Sequence, residues 1–221
     1  MKYDYLLFFV FFIYYVVTCS KWMKKSSTAN LLTAAYEYGF PEPPGYPIVT
    51  SAHRVLYLIF SPTVTIKIAN GISAAFSAAS VVFVSKLITV VTESESVGLL
   101  CSVVKGCLPL VQEGGNSAGV FPLQGVILSS LLYAYALHCQ SHLQYSQYKT
   151  LVTTRGWEAY RVYFCIGMAL TNHPIGFVFA APVLFDLLMK EGLNGMYWIL
   201  LPLPVYLLNL FSITYQGSRV V

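Results

Sequence analysis

Four prolines and a glycine fall within the eight residues Phe40-Pro41-Glu42-Pro43-Pro44-Gly45-Tyr46-Pro47, and no helix passes through such a stretch. Each proline lacks a backbone donor and fixes φ. The residue before each proline is driven towards extended geometry. Apolar runs of helical length lie on either side, so the segment reads as a rigid turn at a membrane surface. It carries one acid, Glu42, and one amphipathic aromatic, Tyr46.

The rest of the chain says what the turn connects. Of 221 residues, 57% are hydrophobic and 10% charged, with a mean hydropathy of +0.65. A soluble domain carries about 25% charged and roughly 45–50% apolar residues. The departure implies an all-α, polytopic helical membrane protein whose first partner is the lipid bilayer. The net charge of +4 comes from basic residues scattered near apolar ends, which suits anionic headgroups. A nucleic-acid partner is excluded, because that needs a dense basic face. The five cysteines have no metal-ligand spacing and read as small buried hydrophobes. A Cys101–Cys107 disulfide remains open if that segment is extracytosolic.

A helix needs about 20 apolar residues to cross a bilayer. Residues 6–19 form the first apolar run, followed by Lys21, Trp22, Lys24 and Lys25 as an interfacial anchor set. A cleaved signal peptide is the competing reading, but the run is bulky and aromatic with no small-x-small cleavage site. Residues 26–38 open on Ser26-Ser27-Thr28 as a helix cap, with Leu31, Leu32, Ala35 and Tyr36 at helical spacing. That is a short amphipathic helix lying at the membrane surface.

Residues 48–60 are apolar apart from His53 and Arg54. From Val64 to Val91 a long helix carries small residues four apart: Gly71, Ala75 and Ala79, Ser73 and Ser77, Ala74 and Ala78. Such a stripe lets helices approach closely in lipid. Residues 97–111 contain Lys105, Gly106 and Pro109, and read as interfacial or re-entrant. Residues 121–139 are long enough to span. Residues 160–188 are either one helix kinked at Pro174 or two helices joined at Asn172-His173. Gly195 to Ile213 gives the last segment. The expected architecture is a single multi-pass domain over 1–221 with about six membrane segments. Residues 1–25 are the first helix and its basic flank, 26–47 the amphipathic helix and proline turn, and 48–221 the remaining segments.

No Gly-rich phosphate loop, zinc-protease helix, nucleophile elbow or dinucleotide fingerprint is present, and no metal site is expected. Polar residues at membrane depth are costly and mark cavities or partners. Asn172-His173-Pro174 is the sharpest such group, because Pro174 frees a carbonyl in the preceding turn. His53-Arg54 either coordinates a phosphate or snorkels to the headgroups. Asp186 reads as an interfacial acid satisfied by Lys190. Glu37 and Glu42 flank the proline turn as candidate acid or base.

Three stretches together resemble the transmembrane protein 260 family of GT-C-like protein O-mannosyltransferases. Asn30-Leu31-Leu32-Thr33-Ala34-Ala35-Tyr36 followed by Pro43-Pro44-Gly45-Tyr46-Pro47 is similar to the family's first-loop motif. Tyr135-Ala136-Leu137 is similar to a later Glu-Val-Tyr-Ala-Leu segment. Ala169-Leu170-Thr171-Asn172-His173 is similar to its Leu-Thr-Asn-His stretch, with Ala181-Pro182 beyond. The resemblance covers nearly the whole chain and corresponds to the family's N-terminal membrane half. The family's acidic residues are missing: Ser27, Thr28, Ala29 and Asn30 stand where the first-loop acids would be, Tyr133 replaces a Glu, and Glu42 replaces a His.

The resemblance implies a GT-C-like fold in the endoplasmic reticulum. It implies transfer of a mannosyl-type sugar from a dolichyl-phosphate donor to a protein Ser or Thr hydroxyl, with no other cofactor. Glu42 and Glu37 are then the candidate catalytic carboxylates. Tyr46, His53, Arg54, Asn172 and His173 would line the donor cleft. The partners would be the lipid-linked donor and a protein acceptor or other membrane subunits. The alternative is a non-catalytic scaffold or complex subunit that kept the fold and lost the acids.

Overall fold

The computed structural model describes residues 3–19, 26–37, 39, 46–148, 155–193 and 196–204. These residues form α1 (Asp4–Thr18), α2 (Ser26–Tyr36), α3 (Pro47–Ile59), α4 (Pro62–Thr92), α5 (Glu95–Gly106), α6 (Pro109–Gly115), α7 (Val120–Tyr148), α8 (Arg155–Asn172) and α9 (Ile175–Glu191). A 3-10 turn, η1 (Met196–Leu200), follows. No strand occurs among them, so the all-α class expected from composition holds. Prolines open α3, α4 and α6, where the missing N–H costs nothing.

The long helix α4 is the spine. Leu7, Phe11 and Tyr15 of α1 pack on its Ala74, Ala78 and Val81. Gly98 brings α5 against the Thr89 side chain and the Ser85 carbonyl. Helix α7 lies parallel to α4: Gly119 N–H donates to Ser73 Oγ at 3.4 Å, and the Phe83 and Tyr133 rings sit 6.1 Å apart. The buried small residues are Ser73, Ala74, Ser77, Ala78 and Ser80, whereas Gly71, Ala75 and Ala79 are half-buried. The expected packing stripe is present, but the serine-alanine pairs carry it.

A bilayer crossing requires about 30 Å of hydrocarbon thickness. Helix α4 and residues 120–143 of α7 are long and apolar enough. Helices α5 and α6 add a third span if the pair, bent by 69° between Gly106 and Pro109, is counted as one. That break is the interruption expected from Gly106 and Pro109. Helix α1, at 15 residues, rises only about 22 Å, and α3, at 13 residues, about 20 Å. By length and composition the described helices therefore give two or three crossings, fewer than the six expected. The outer face of α1 still presents Phe9, Val10, Ile13 and Val17, more than half exposed, as a surface made for lipid.

The apolar stretch 160–188 resolves into two helices, α8 and α9, that meet at His173-Pro174 and run antiparallel. Gly176 makes the corner, since a Cβ there would strike the Ala169 carbonyl. Ile127 and Leu131 of α7, Val162, Tyr163 and Ile166 of α8, and Val183 and Leu187 of α9 form the largest core cluster. Asp186 is satisfied as expected, at 2.7 Å from Lys190 Nζ, and it also accepts from Tyr135 Oη at 2.7 Å. All five cysteines are free of disulfides, so Cys101 and Cys107 are not bridged. Of the last expected segment, 195–213, only 196–204 fall within the described residues.

Candidate functional site

At the end of the bundle where α7 begins, α2 and α3 cover the junction between α6 and α7. Leu32 packs with Ala69 and Ala118, and Leu31 packs with Val49 and Val120. Leu31, Leu32 and Ala35 are buried as the helical spacing predicts, while Tyr36 is exposed and meets the Tyr57 ring edge-on at 5.2 Å. The junction itself is fixed through one residue, Ala118. Thr28 Oγ1 donates to the Ala118 carbonyl at 2.7 Å, and the Ala118 N–H donates to Asn70 Oδ1 at 2.6 Å. Thr28 stands where the sequence resemblance leads one to expect an acid. Here it is buried and works as a donor, a role no ionised carboxylate fills.

Tyr46 caps α3 with a left-handed backbone, φ 41° and ψ 61°. For a bulky residue this conformation costs on the order of 1–3 kcal/mol and persists only where surrounding contacts hold it. Two such contacts are present. The Tyr46 carbonyl accepts from Thr50 N–H at 3.0 Å and from Thr50 Oγ1 at 2.9 Å. Its ring stacks on His173, with centroids 5.4 Å apart and planes 10° from parallel. Phe121, on the first turn of α7, approaches the same imidazole at 5.7 Å and 45°. Tyr46 and the Asn-His-Pro break, more than a hundred residues apart in sequence, thus meet in space.

The chemistry of His173 follows from its partners. Its Nδ1 accepts the Ile175 N–H at 3.1 Å, which leaves the proton of the neutral ring on Nε2. Burial lowers its pKa below the usual histidine value, favouring that neutral form. His173 is therefore a hydrogen-bond donor at this site, and not a base. Beside it, Asn172 Nδ2 donates to Gln124 Oε1 at 2.7 Å, both residues being buried. Asn172 Oδ1 and Gln124 Nε2 have no protein partner. The pair keeps one acceptor and one donor in reserve in a setting where unpaired polar atoms are costly.

His53 and Arg54 lie on the inner face of α3 and are both buried. Arg54 does not snorkel: its Nη2 donates to the Gly39 carbonyl at 3.0 Å and ties α3 to the end of α2. His53 Nδ1 has no hydrogen-bond partner, and burial lowers its pKa to about 4. Glu37 is exposed at the end of α2. Glu42 lies outside the described residues.

A cleft of about 220 Å³ adjoins this cluster, walled by Ser77 and Ser80 of α4, Lys105 of α5, and Gln124 and Gly125 of α7. Phe121 and Ile175, which both touch His173, also line it. Gln124 and Phe121 escaped the sequence reading; the available signal was a lone amide inside the apolar run 121–139. Among the described residues no group of three or more His, Cys, Asp or Glu side chains is placed to hold a metal ion.

The family model for the N-terminal domain of the protein O-mannosyl-transferase TMEM260 matches residues 28–194. The chain belongs to this family. Searches of curated proteins and of solved structures gave no match. The matched span opens at Thr28 and contains α3 to α9 entire, so the whole cluster around His173 lies inside the TMEM260 N-terminal domain. Membership in this family and the apolar helices make the chain an integral membrane protein with a glycosyltransferase-like role.

Proposed function

We propose that this TMEM260-family domain transfers a mannosyl residue from a dolichyl-phosphate donor to a Ser or Thr hydroxyl of a protein in the endoplasmic reticulum. The observation that carries the reading is the Tyr46–His173 stack, which brings Tyr46 and the Asn-His-Pro break to one place. In the transfer, the bond from the sugar's anomeric carbon to the donor phosphate breaks, and the phosphate leaves with the electron pair. A new bond forms from that carbon to the acceptor oxygen, whose proton passes to a carboxylate. General-base work of this kind needs a titratable group within hydrogen-bond reach.

Glu42 is assigned that role. It stands four positions before Tyr46, which limits its Cα to within about 14 Å of the Tyr46 Cα. Glu37 is the second candidate and is nine residues away. The His173 Nε2–H and the aromatic faces of Tyr46 and Phe121 would hold the sugar. His53 and Arg54 are assigned to supporting the donor side of the cleft from within α3.

A specific observation supports the second reading, a scaffold or complex subunit. Thr28 occupies an acid's position and is committed to the Ala118 carbonyl. A transfer assay with the full chain in lipid nanodiscs, dolichyl-phosphate-mannose and a Ser/Thr-rich peptide separates the two. Glu42→Gln is expected to lower product formation at least a hundredfold, with Glu37→Gln near wild type. Equal product from wild type and Glu42→Gln removes Glu42 from the mechanism. No product from wild type supports the scaffold.

A further inference from the structure

Lys105 sits on the wall of the cleft beside the His173 cluster, at the bend between α5 and α6. Its Nζ donates to the Ser80 carbonyl at 2.9 Å, and no carboxylate among the described residues pairs with it. An ammonium group has three donors and no acceptor, so one carbonyl leaves most of its capacity unused. A charge held in apolar surroundings without a counter-charge is costly, and at membrane depth such a group marks a binding site.

The second observation is independent of the lysine. Gln124 is only 2% exposed, its Oε1 is taken by Asn172, and its Nε2 has no acceptor. It lines the same cleft from the α7 side. Gly125, the next residue, packs against Ser80, the residue whose carbonyl holds Lys105. A cation and an unsatisfied amide donor therefore line one cleft. The other walls are apolar, and Leu110, Phe121 and Ile175 are exposed at its mouth.

We propose that Lys105 and Gln124 form a seat for the phosphate of a lipid, its hydrocarbon chain leaving past Leu110, Phe121 and Ile175. The cation and the amide donor match an anion, and the exposed apolar mouth matches a chain already dissolved in the bilayer. The identity of the lipid as an isoprenoid phosphate rests on the transferase reading above; the lipid-phosphate seat itself does not.

The test is equilibrium binding of a fluorescent polyprenyl phosphate to the full chain in nanodiscs. Competitors are the corresponding polyprenol, phosphatidic acid and inorganic phosphate. Saturable binding is expected, weakened about tenfold or more by Lys105→Met, restored by Lys105→Arg, and weakened again by Gln124→Glu, which places a negative charge at the seat. Polyprenol and millimolar inorganic phosphate should compete poorly. Phosphatidic acid competing as well as polyprenyl phosphate makes the seat one for membrane phospholipid and overturns the isoprenoid assignment. Equal affinity for polyprenol, or no change in both Lys105→Met and Gln124→Glu, overturns the seat. Loss of binding in these variants with no transfer in any assay sinks the transferase reading while the seat stands. Transfer that survives Lys105→Met with unchanged binding does the reverse.

Discussion

The imidazole of His173 lies almost parallel to the ring of Tyr46, 5.4 Å away, so α3 and the α8–α9 corner share a contact that neither helix could make alone. Aromatic pairs of this kind contribute about 0.5–1.5 kcal/mol beyond their buried area. Tyr46→Ala and His173→Ala should each destabilise the fold, and their double-mutant cycle should show a coupling in that range. Unfolding in mixed micelles measures it; purely additive losses would show that the stack contributes nothing.

The Asn172–Gln124 pair makes the opposite kind of prediction. Asn172→Leu alone leaves both polar atoms of Gln124 buried without a partner, a cost of about 1–3 kcal/mol. Pairing it with Gln124→Met replaces the amides by apolar groups and should recover most of that loss. A double variant as unstable as the sum of the singles would contradict the buried amide bond.

His53 gives a pH dependence with a definite sign. Its folded-state pKa of about 4 lies below the ordinary value of 6.5, so the unfolded chain binds the proton more readily between those values. The neutral ring's contribution is complete above pH 6.5 and is lost progressively as pH falls towards 4, amounting to roughly 3 kcal/mol. His53→Gln should flatten the difference in unfolding free energy between pH 7 and pH 4. An identical pH profile in both proteins would show that another group is responsible.

Thr28 tests whether the missing acid can be restored. Thr28→Ser should be close to neutral and Thr28→Ala should cost about 1 kcal/mol, the usual value of one hydrogen bond. Thr28→Asp sets a buried carboxylate against the Ala118 carbonyl and should cost several kcal/mol. Melting temperatures rank the three, and a Thr28→Asp protein as stable as wild type would refute the assignment.

Gly176→Ala should cost at least about 1–3 kcal/mol, because the obstacle is the Ala169 backbone and cannot rotate away. Gly71→Ala, which meets open space, is the matched control and should change stability little.

Local signals in the sequence carried much of this fold. Pro47 and Pro62 mark two helix starts, Gly106 with Pro109 marks the α5–α6 bend, and Pro174 marks the α8–α9 break; each acts on its own backbone, so spacing alone reveals it. The number of crossings was less legible. Apolar runs such as Leu6–Cys19 register as membrane segments by composition, while the folded helix is too short to cross unaided. Of the candidate site, Asn172 and His173 were visible as polar residues that are costly in lipid, and Tyr46 as the amphipathic aromatic of the proline turn. Their partners Phe121 and Gln124 were not, because an ordinary phenylalanine or glutamine acquires a role only through a contact distant in sequence.

The hydrogen bond from Thr28 to Ala118 has a consequence for timing. Ninety residues separate donor from acceptor, and translation adds about 5–20 residues per second. For several seconds after it emerges, α2 has only α3 and α4 to dock on, and the aromatic stack must wait longer still, until His173 is made. This end of the bundle, started early in the chain, is therefore completed late. A ribosome stalled before residue 118 leaves Leu31 on Val49 and Leu32 on Ala69, without the Val120 and Ala118 that close over them in the finished fold.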